Sequence, residues 1–507
     1  MKFSRLTPQE AWEKIEYYKS RVYDGMAALY SGDHDQLHLT SRSGAFWNRR
    51  SVKCRIHVPL AADIAGTSAN LLFSSEPTYT VSLDGKEEES GPAQKRLEEI
   101  LARNSMGNKL NEAAETCAAL GDVYMKIRWN RNAPYPLLDV VQPDQAWPEY
   151  LFGELRCVHF FTDIARDPEK DQVIRAYECY EPGRITMKLY EGTSSVLGEE
   201  REESDLESLG YQAEIKVPAE ELLAVHIANI RPNRQYRSSM LGRSDYDGLR
   251  DLFEALDEAM TSWMRDIRLA KARLIVPAEY LRRRPAQMEE GLASQGKWEF
   301  DADVETYVAM DINTDTAGIG ITPSQFNIRA QEHLMTCTEL VRYILQTAGY
   351  SPNTFGFNVE GLASGTALSI RERKSAGTKN KKLTYWQAPL DRILTAMVRL
   401  DHALYPDSGS RPKASVNVSF ADSMGADVST LAATVQMLTQ AGAISNLVKV
   451  RMIHPDWAED QVQEEVQRLN DDVMQSLMLA QLSKTGQPTA VPEEGKKEKE
   501  GENVKRT

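Results

Sequence analysis

The chain has 507 residues, of which 41% are hydrophobic and 26% are charged, and its formal net charge is −14. This length is too great for one hydrophobic core, so it predicts two to four domains or one body with long insertions. Proteins that bind duplex DNA tightly are mostly basic, because Lys and Arg contacts with phosphates supply much of their affinity. The acidic balance therefore argues against tight wrapping of nucleic acid, but it is compatible with a protein past which DNA slides.

The cysteines give no sign of a disulfide framework. Their number is odd and none forms a CxxC motif: Cys54, Cys117, Cys157, Cys179 and Cys337. We expect neither a disulfide framework nor a zinc site, and a reducing cytoplasm is the default compartment. The first residues, MKFSRLTPQEAWEKIEYY, lack the apolar segment of a signal peptide, and no run of about 18 apolar residues predicts a membrane helix.

The first half of the chain changes from helical to β-type patterning. Apolar spacing predicts three helices, at 7–30, 58–73 and 93–119. Alternating segments that end in polar or glycine turns then predict antiparallel strands, at 123–129, 155–164, 173–181, 184–192 and 222–230. The run 137–150 is also β-like, with prolines that force edges and turns. The acidic stretch 198–208 is expected to be an exposed loop.

In the second half, two long helices flank a small β insertion. Apolar residues at helical spacing predict a helix over 244–274, which Ser244 and Asp247 would start as a capping box. The insertion covers 276–322, and a second helix is predicted over 323–347. This order suggests a stalk with a tip.

The C-terminal part is predicted to be mostly helical. A very long helix over 364–404 would be kinked at Pro389, and a strand covers 416–423. Helices follow over 427–482 with a turn at Ala441 and Gly442. The Gly-, Pro-, Glu- and Lys-rich tail 483–507 is expected to be disordered.

The stretch FGFNVEGLASGTALSIRERKSAGTKNKKL, which begins at Phe355, resembles a phosphate-binding loop only superficially. A P-loop needs a lysine directly after its second glycine, but Thr366 follows Gly365, and the segment before the loop is helical rather than a strand. The sequence therefore argues against a nucleotide site.

Other patterns give no catalytic residue, metal site or cofactor. One predicted strand carries an acidic face that either binds Mg²⁺ or Ca²⁺ or, as we favour, simply faces solvent: Glu299, Asp301, Asp303 and Glu305. No HExxH motif occurs, and His159 and His226 lie in apolar strands where a structural role is expected. A basic cluster is either a solvated helix face or a site of transient phosphate contacts: Arg371, Arg373, Lys374, Lys379, Lys381 and Lys382.

The order of several segments resembles that of tailed-bacteriophage portal proteins of the siphophage type. The segments are IHVPLAADIAGTSANLLFSSEPTYTV, KIRWNRNAPYPLLDVVQPDQAWPEYLFGELRCVHFF, LGRSDYDGLRDLFEALDEAMTSWMRDIRLAKARLIVP, TAGYSPNTFGFNVEGLASGTALSIRERK and ISNLVKVRMIHPDWAEDQVQEEVQRL. The specific feature is the order of these motifs across most of the chain, rather than any one motif.

The resemblance implies an α+β, mainly helical fold with the architecture of a portal subunit. Its parts would be a wing, stem helices, a β-containing clip, a tunnel loop and a helical crown. Mapped onto this sequence, they are wing 1–243 and 365–425, stem 244–275 and 323–349, clip 276–322, tunnel loop 350–364 and crown 426–482. The tunnel loop would bring channel-lining residues near DNA: Asn353, Phe355, Phe357, Asn358 and Glu360.

The resemblance also implies the partners. A ring, usually of twelve subunits, would sit at the capsid vertex of the virion after assembly in the host cytoplasm, with no membrane involved. Double-stranded DNA would pass through it, and terminase, head-completion or adaptor proteins, capsid and scaffolding proteins would bind it. The portal itself would do no chemistry. Two other readings stay open at this point: a metal-dependent nuclease using Asp301 and Asp303, and an oligomeric scaffold that does not bind DNA.

Overall fold

The computed structural model describes 5–32, 56–83, 86–87, 91–130, 133–217, 221–270, 273–275, 322–324, 327–357, 365–420, 428–454, 457, 461–471 and 474. The chain divides into a first unit, Met1–Leu362 with Ala367–Ala421, and a second unit, Ala363–Thr366 with Asp422–Thr507. Helices and antiparallel sheets both contribute, which confirms the α+β fold class. None of the helices in the described ranges has the length and apolar character needed to cross a membrane.

The N-terminal helix confirms the prediction for 7–30 and contains one irregular turn. It consists of α1 (Pro8–Tyr18), a π-helical turn (Lys19–Tyr23) and α2 (Asp24–Ser31). Thr7 and Glu10 form a capping box at its start, and Gly32 ends it in the left-handed conformation.

The predicted helix 93–119 is two helices. After α3 (Leu60–Phe73) the chain forms α4 (Pro92–Arg103) and α5 (Met106–Leu120), separated at Asn104 and Ser105. Ser105 has a positive φ of 51°, which a helix does not allow. The buried Asn104 amide donates to the carbonyls of Ile100 and Pro136 and accepts from Leu138 N–H, so the break is fixed by contacts with a distant segment.

The largest sheet is antiparallel and confirms the three strands predicted between 155 and 192. Its main strands are β5 (Ala146–Leu151), β6 (Glu154–Asp167), β7 (Gln172–Glu181) and β8 (Arg184–Gly192), and β10 (Glu214–Lys216) and the short β9 (Glu199–Glu200) both pair with β8. The prediction of an exposed loop at 198–208 is wrong in part. It contains β9 and a short helix, α6 (Glu203–Ser208), whose Leu206 is buried.

Two smaller sheets are also present among the described residues. In one, β3 (Asp122–Arg128) lies between β4 (Leu137–Val141) and β11 (Ala224–Ala228). In the other, β1 (Thr78–Leu83) lies between β2 (Lys86–Glu87) and β14 (Ala414–Ser419). The β1–β14 pair joins segments more than 300 positions apart, which a local pattern cannot predict.

The two long helices are shorter than the sequence predicts. They are α7 (Arg250–Leu269) and α8 (Ala330–Ala348), and beyond them β12 (Arg273–Ile275) pairs with β13 (Thr322–Ser324). The predicted capping box at Ser244 is wrong. The buried Ser244 hydroxyl donates to Ala119 O and accepts from Tyr246 N–H, so it is committed to α5 and its own turn.

The long helix α9 (Gly365–Leu404) is confirmed, with Pro389 inside it. Its second half buries a stripe at helical spacing in the main core, formed by Trp386, Leu390, Ile393, Leu394 and Met397. In the second unit, α10 (Val428–Gln440) and α11 (Asn446–Ile453) flank the predicted turn at Ala441 and Gly442, and 461–471 is helical.

Candidate functional site at the base of the predicted tunnel loop

A second core joins both long helices to the helices before them. Phe253 and Leu256 of α7 and Ile344 and Leu345 of α8 are buried together with apolar residues of α2, α3 and α5. The chain leaves this core at Tyr350 and enters the segment predicted to begin the tunnel loop. The core therefore fixes where that segment starts.

A buried ion pair lies at this point. Lys382 Nζ of α9 is 2.6 Å from Asp245 Oδ2, and both side chains are at most 1% exposed. The ammonium also donates to Ser68 Oγ of α3 at 2.6 Å and to the Tyr350 hydroxyl at 3.0 Å. All three of its protons thus have an acceptor, which a buried cation requires.

Asp245 is equally well satisfied. Its Oδ2 accepts from the Tyr350 hydroxyl at 2.7 Å, and its Oδ1 accepts from Asn229 Nδ2 at 2.8 Å. Burial raises the pKa of the Tyr350 hydroxyl well above its ordinary value, so it remains a donor. The network connects α3, α9, the turn before α7 and the segment after α8.

The segment after α8 is attached to one face of α9 by polar contacts. Thr378 Oγ1 donates to Gly349 O at 2.6 Å, and Ser375 Oγ accepts from Ser351 N–H at 2.8 Å and contacts Thr354 Oγ1 at the same distance. With Lys382 these positions have spacings of three and four, which is one face of a helix. The described part of the predicted loop therefore has a fixed base.

The far ends of α7 and α8 are joined by charge. Asp266 Oδ2 lies 2.8 Å from Arg329 Nη2 and 2.9 Å from His333 Nε2, and the ring of His333 stacks on that of Trp263 with an interplanar angle of 7°. The hydrogen bonds from His333 and Arg329 lower the pKa of the Asp266 carboxyl below its ordinary value. The helix pair is thus held at both ends.

The outer faces of this pair carry large apolar side chains in contact with solvent. Met335 is 63% exposed and Tyr343 is 57% exposed, and their spacing of eight places them on one face of α8. Leu334 on α8 and Leu269 at the end of α7 are exposed as well. The exposed apolar face of α8 that holds Met335 and Tyr343 is typical of an interaction site.

The structure places the lysines of the predicted phosphate contacts in two different environments. Lys382 is buried in the ion pair and Lys379 is only 4% exposed, so the structure gives neither side chain a path to phosphate at the surface. Lys374 and Lys381 are exposed. For these two residues the contact stays a prediction.

The predicted tunnel-loop residues are only partly described. Asn353 and Phe357 line an open groove of about 750 Å³ together with Lys374 and Arg342. Residues of the predicted tunnel loop and of the predicted phosphate contacts therefore meet in this groove. Phe355 packs against the second core instead. Asn358 and Glu360 lie outside the described residues, as does the whole acidic strand of Glu299, Asp301, Asp303 and Glu305.

Sequence reasoning missed the residues at the centre of the site. Asp245, Tyr350 and Ser68 were not singled out, because nothing in a local pattern indicates that a serine at 68 and a lysine at 382 will meet. The one available signal was Lys382 itself. It lies four positions before Trp386, at the start of the buried stripe of α9, where a solvated lysine is not expected.

His159 and His226 lie in buried hydrogen-bond networks, and His226 is one residue of a linear chain of polar contacts. Its Nε2 is 2.7 Å from Asp122 Oδ1, and its Nδ1 is 2.6 Å from the Tyr150 hydroxyl. Asp122 Oδ1 also accepts from Gly242 N–H at 2.7 Å, so this carboxylate holds the chain segment before Asp245 in place. The expected structural role of His226 fits these contacts.

Comparison with known proteins identifies the class. The family model described as "Phage portal protein, SPP1 Gp6-like" matches residues 14–475. The chain belongs to this family of phage portal proteins, which are structural proteins of the virion rather than enzymes. No curated protein matches the chain.

The solved structures that match the chain include two from gene transfer agent particles. One is titled "Neck of empty GTA particle computed with C6 symmetry", with 12% identity, a TM-score of 0.41 and coverage of 78% of this chain and 90% of the other. The second is titled "Virion of native gene transfer agent (GTA) particle", with 13% identity, a TM-score of 0.37 and coverage of 85% and 93%. At these values the family assignment rests on the family model.

Proposed function

We propose that this chain is the subunit of a ring at the capsid vertex through which double-stranded DNA enters during packaging and leaves during ejection. Membership of the portal family is the observation that carries the proposal. The wing would be 1–243 and 365–425, the stem 244–275 and 323–349, and the crown 426–482. The clip, 276–322, would bind terminase and later the head-completion or adaptor protein, and capsid and scaffolding proteins would surround the ring.

The proposed stem contains α7 and α8, and their exposed apolar side chains support contact with a second copy of this chain. Burying one such side chain contributes about 1.5–3 kcal/mol. A contact between different faces of identical subunits closes into a ring when its rotation allows. We infer that the face of α8 with Met335 and Tyr343 packs against the neighbouring subunit. Twelve subunits are the number implied by the resemblance.

The charge of the chain supports a channel that does not bind its cargo tightly. A net charge of −14 on each subunit repels phosphate at the level of the whole molecule, so DNA would remain mobile. Local contacts would come from the tunnel loop and from the exposed Lys374 and Lys381. The motor, rather than the portal, would hydrolyse ATP.

Imaging of the purified protein by negative-stain microscopy, with its mass measured in solution, tests the proposal. We expect rings with a central hole, and a compact monomer at high concentration would contradict the proposal.

Met335→Glu and Tyr343→Glu should each reduce the ring fraction at least tenfold, because a buried charge at the interface costs more than the lost contact. The matched control is Phe152→Glu, since Phe152 is 91% exposed at the turn between β5 and β6 and belongs to neither α7 nor α8. Equal ring fractions in all variants would reject this face as the interface.

A further inference from the structure

Four potential metal ligands meet on one face of the large sheet, although no sequence motif indicates them. Cys157 and His159 are two residues apart on β6 and therefore share a face. Glu149 of β5 pairs with Cys157, and Cys179 of β7 pairs with His159. The four side chains occupy neighbouring positions on three adjacent strands.

The distances fit coordination of a single ion. Cys157 Sγ lies 3.6 Å from His159 Nε2, and one ligand atom from each of Cys157, His159 and Cys179 lies within 4.8 Å of the others. Zinc bound at about 2.0–2.3 Å in a tetrahedron separates its ligand atoms by roughly 3.3–3.8 Å. Glu149 Oε1 lies 2.7 Å from the same imidazole nitrogen, so a small outward shift brings the carboxylate to the distance of a fourth ligand.

The surroundings resemble those of a structural site. Cys157, His159 and Cys179 are at most 1% exposed and lie beside the apolar side chains of Trp12, Phe161 and Leu197. His159 Nδ1 is 2.8 Å from the Tyr177 hydroxyl, which orients the ring with Nε2 towards the thiols. Metal-bound histidines characteristically have such a partner on the second ring nitrogen.

We propose that Glu149, Cys157, His159 and Cys179 form a closed structural site for one Zn²⁺ ion. Binding would take place through both thiolates, His159 Nε2 and one carboxylate oxygen, with release to solvent of the thiol protons and of any proton that His159 carries on Nε2. The ion would connect β5, β6 and β7. Because Glu149 Oε1 also accepts from Leu6 N–H at 2.8 Å, it would hold the segment before α1 as well.

The expectation of no zinc site came from the absence of CxxC. In CxxC a turn brings together two thiols three positions apart, whereas here strand pairing brings together residues about 20 positions apart. The rival arrangement is a metal-free core in which a protonated His159 donates to Glu149 and Tyr177. It predicts no metal binding.

Cobalt titration of the full chain separates these two arrangements. Protein stripped of metal with a chelator under reducing conditions is titrated with Co²⁺. This ion substitutes for Zn²⁺ and, unlike Zn²⁺, absorbs visible light. We expect one equivalent per chain, strong ligand-field bands typical of tetrahedral cobalt and thiolate-to-cobalt charge-transfer absorption, all removed by added Zn²⁺. Absence of these bands in the wild-type protein would overturn the proposal, whatever the variants do.

Single-cysteine variants then locate the ligands. Cys157→Ser and Cys179→Ser should each weaken the charge-transfer absorption by about half and lower the affinity at least tenfold. Cys117→Ser and Cys337→Ser are matched controls, because both cysteines are buried outside the cluster, and they should bind cobalt like the wild type. Loss of cobalt binding in the controls, or its full retention in Cys157→Ser and Cys179→Ser, would contradict the assignment. Zn²⁺ should also raise the Tm of the wild type but not that of Cys179→Ser.

Discussion

At the scale of single residues, the most informative side chain is Lys382. In the sequence it belongs to a basic cluster, but in the structure it is the cation of an interior network with Asp245, Ser68 and Tyr350. Its neighbour Lys381 is exposed, one position along the same helix. The density of charged residues along a sequence therefore does not distinguish an exposed lysine from one that is buried in an ion pair.

Lys382→Met should destabilise the first unit by about 3–5 kcal/mol, because it leaves the Asp245 carboxylate buried without its cation. Urea unfolding followed by tryptophan fluorescence measures the change, since Trp386 lies one turn further along α9. Lys381→Met is the matched control and should change the free energy of unfolding by less than about 0.5 kcal/mol. Similar losses in both variants would contradict the buried pair.

Gly349 should not tolerate a side chain. Its φ is +104°, and a Cβ there would lie 2.8 Å from Thr378 Oγ1, which anchors the base of the loop. Gly349→Ala should cost about 1–3 kcal/mol of unfolding free energy. Gly356→Ala isolates the strain, because Gly356 has a positive φ but open space around it. If the two variants lost the same stability in urea unfolding, the contact with Thr378 would be irrelevant.

At the scale of elements, periodicity located the helices well but misplaced their ends. The sequence predicts 244–274 and 323–347, while α7 and α8 cover Arg250–Leu269 and Ala330–Ala348. Apolar spacing continues past the end of α7 because β12 also contributes apolar residues, Leu274 and Ile275. The break at Asn104 was missed for a similar reason, since its cause is a hydrogen bond to residues more than 30 positions away.

The contribution to stability of the Asp266 contacts with Arg329 and His333, which join α7 to α8, should depend on pH. The pKa of Asp266 in the folded protein lies below the ordinary 3.8, so its contribution to stability is complete above that value and disappears as the pH falls through the lowered folded pKa. Asp266→Asn should therefore lower the Tm at pH 7, and the difference from the wild type should shrink towards pH 2. Thermal melts of both proteins across this range measure the effect. A difference that stays constant with pH would show that the carboxylate charge is not its cause.

At the scale of the whole molecule, the family model identifies the chain as a phage portal protein. Deleting part of the predicted tunnel loop tests its proposed role. Thr354 and Phe355 belong to the fixed base, so the deletion is best confined to Asn358–Glu360. We expect normal rings and at least a tenfold loss of packaged genomes in a complementation assay.

The control for this deletion replaces Glu169 and Lys170, exposed at the turn between β6 and β7, by Ala and should package normally. Unchanged packaging by the deletion variant would reject the tunnel-loop assignment, and loss of rings would reject its position in the subunit. In the same assay, Lys374→Ala with Lys381→Ala should alter DNA retention more than ring assembly.

The sequence by itself determined the α+β class, most element positions and the resemblance to portal proteins. These depend on periodicity, turn residues and segment order, which are properties of neighbouring positions. Only the tertiary structure decided that Lys382 is buried against Asp245, that Gly349 contacts Thr378 and that Glu149, Cys157, His159 and Cys179 share one face. The partners that come from different segments are 8 to 137 positions apart, and their proximity depends on strand register and helix packing that no local pattern encodes.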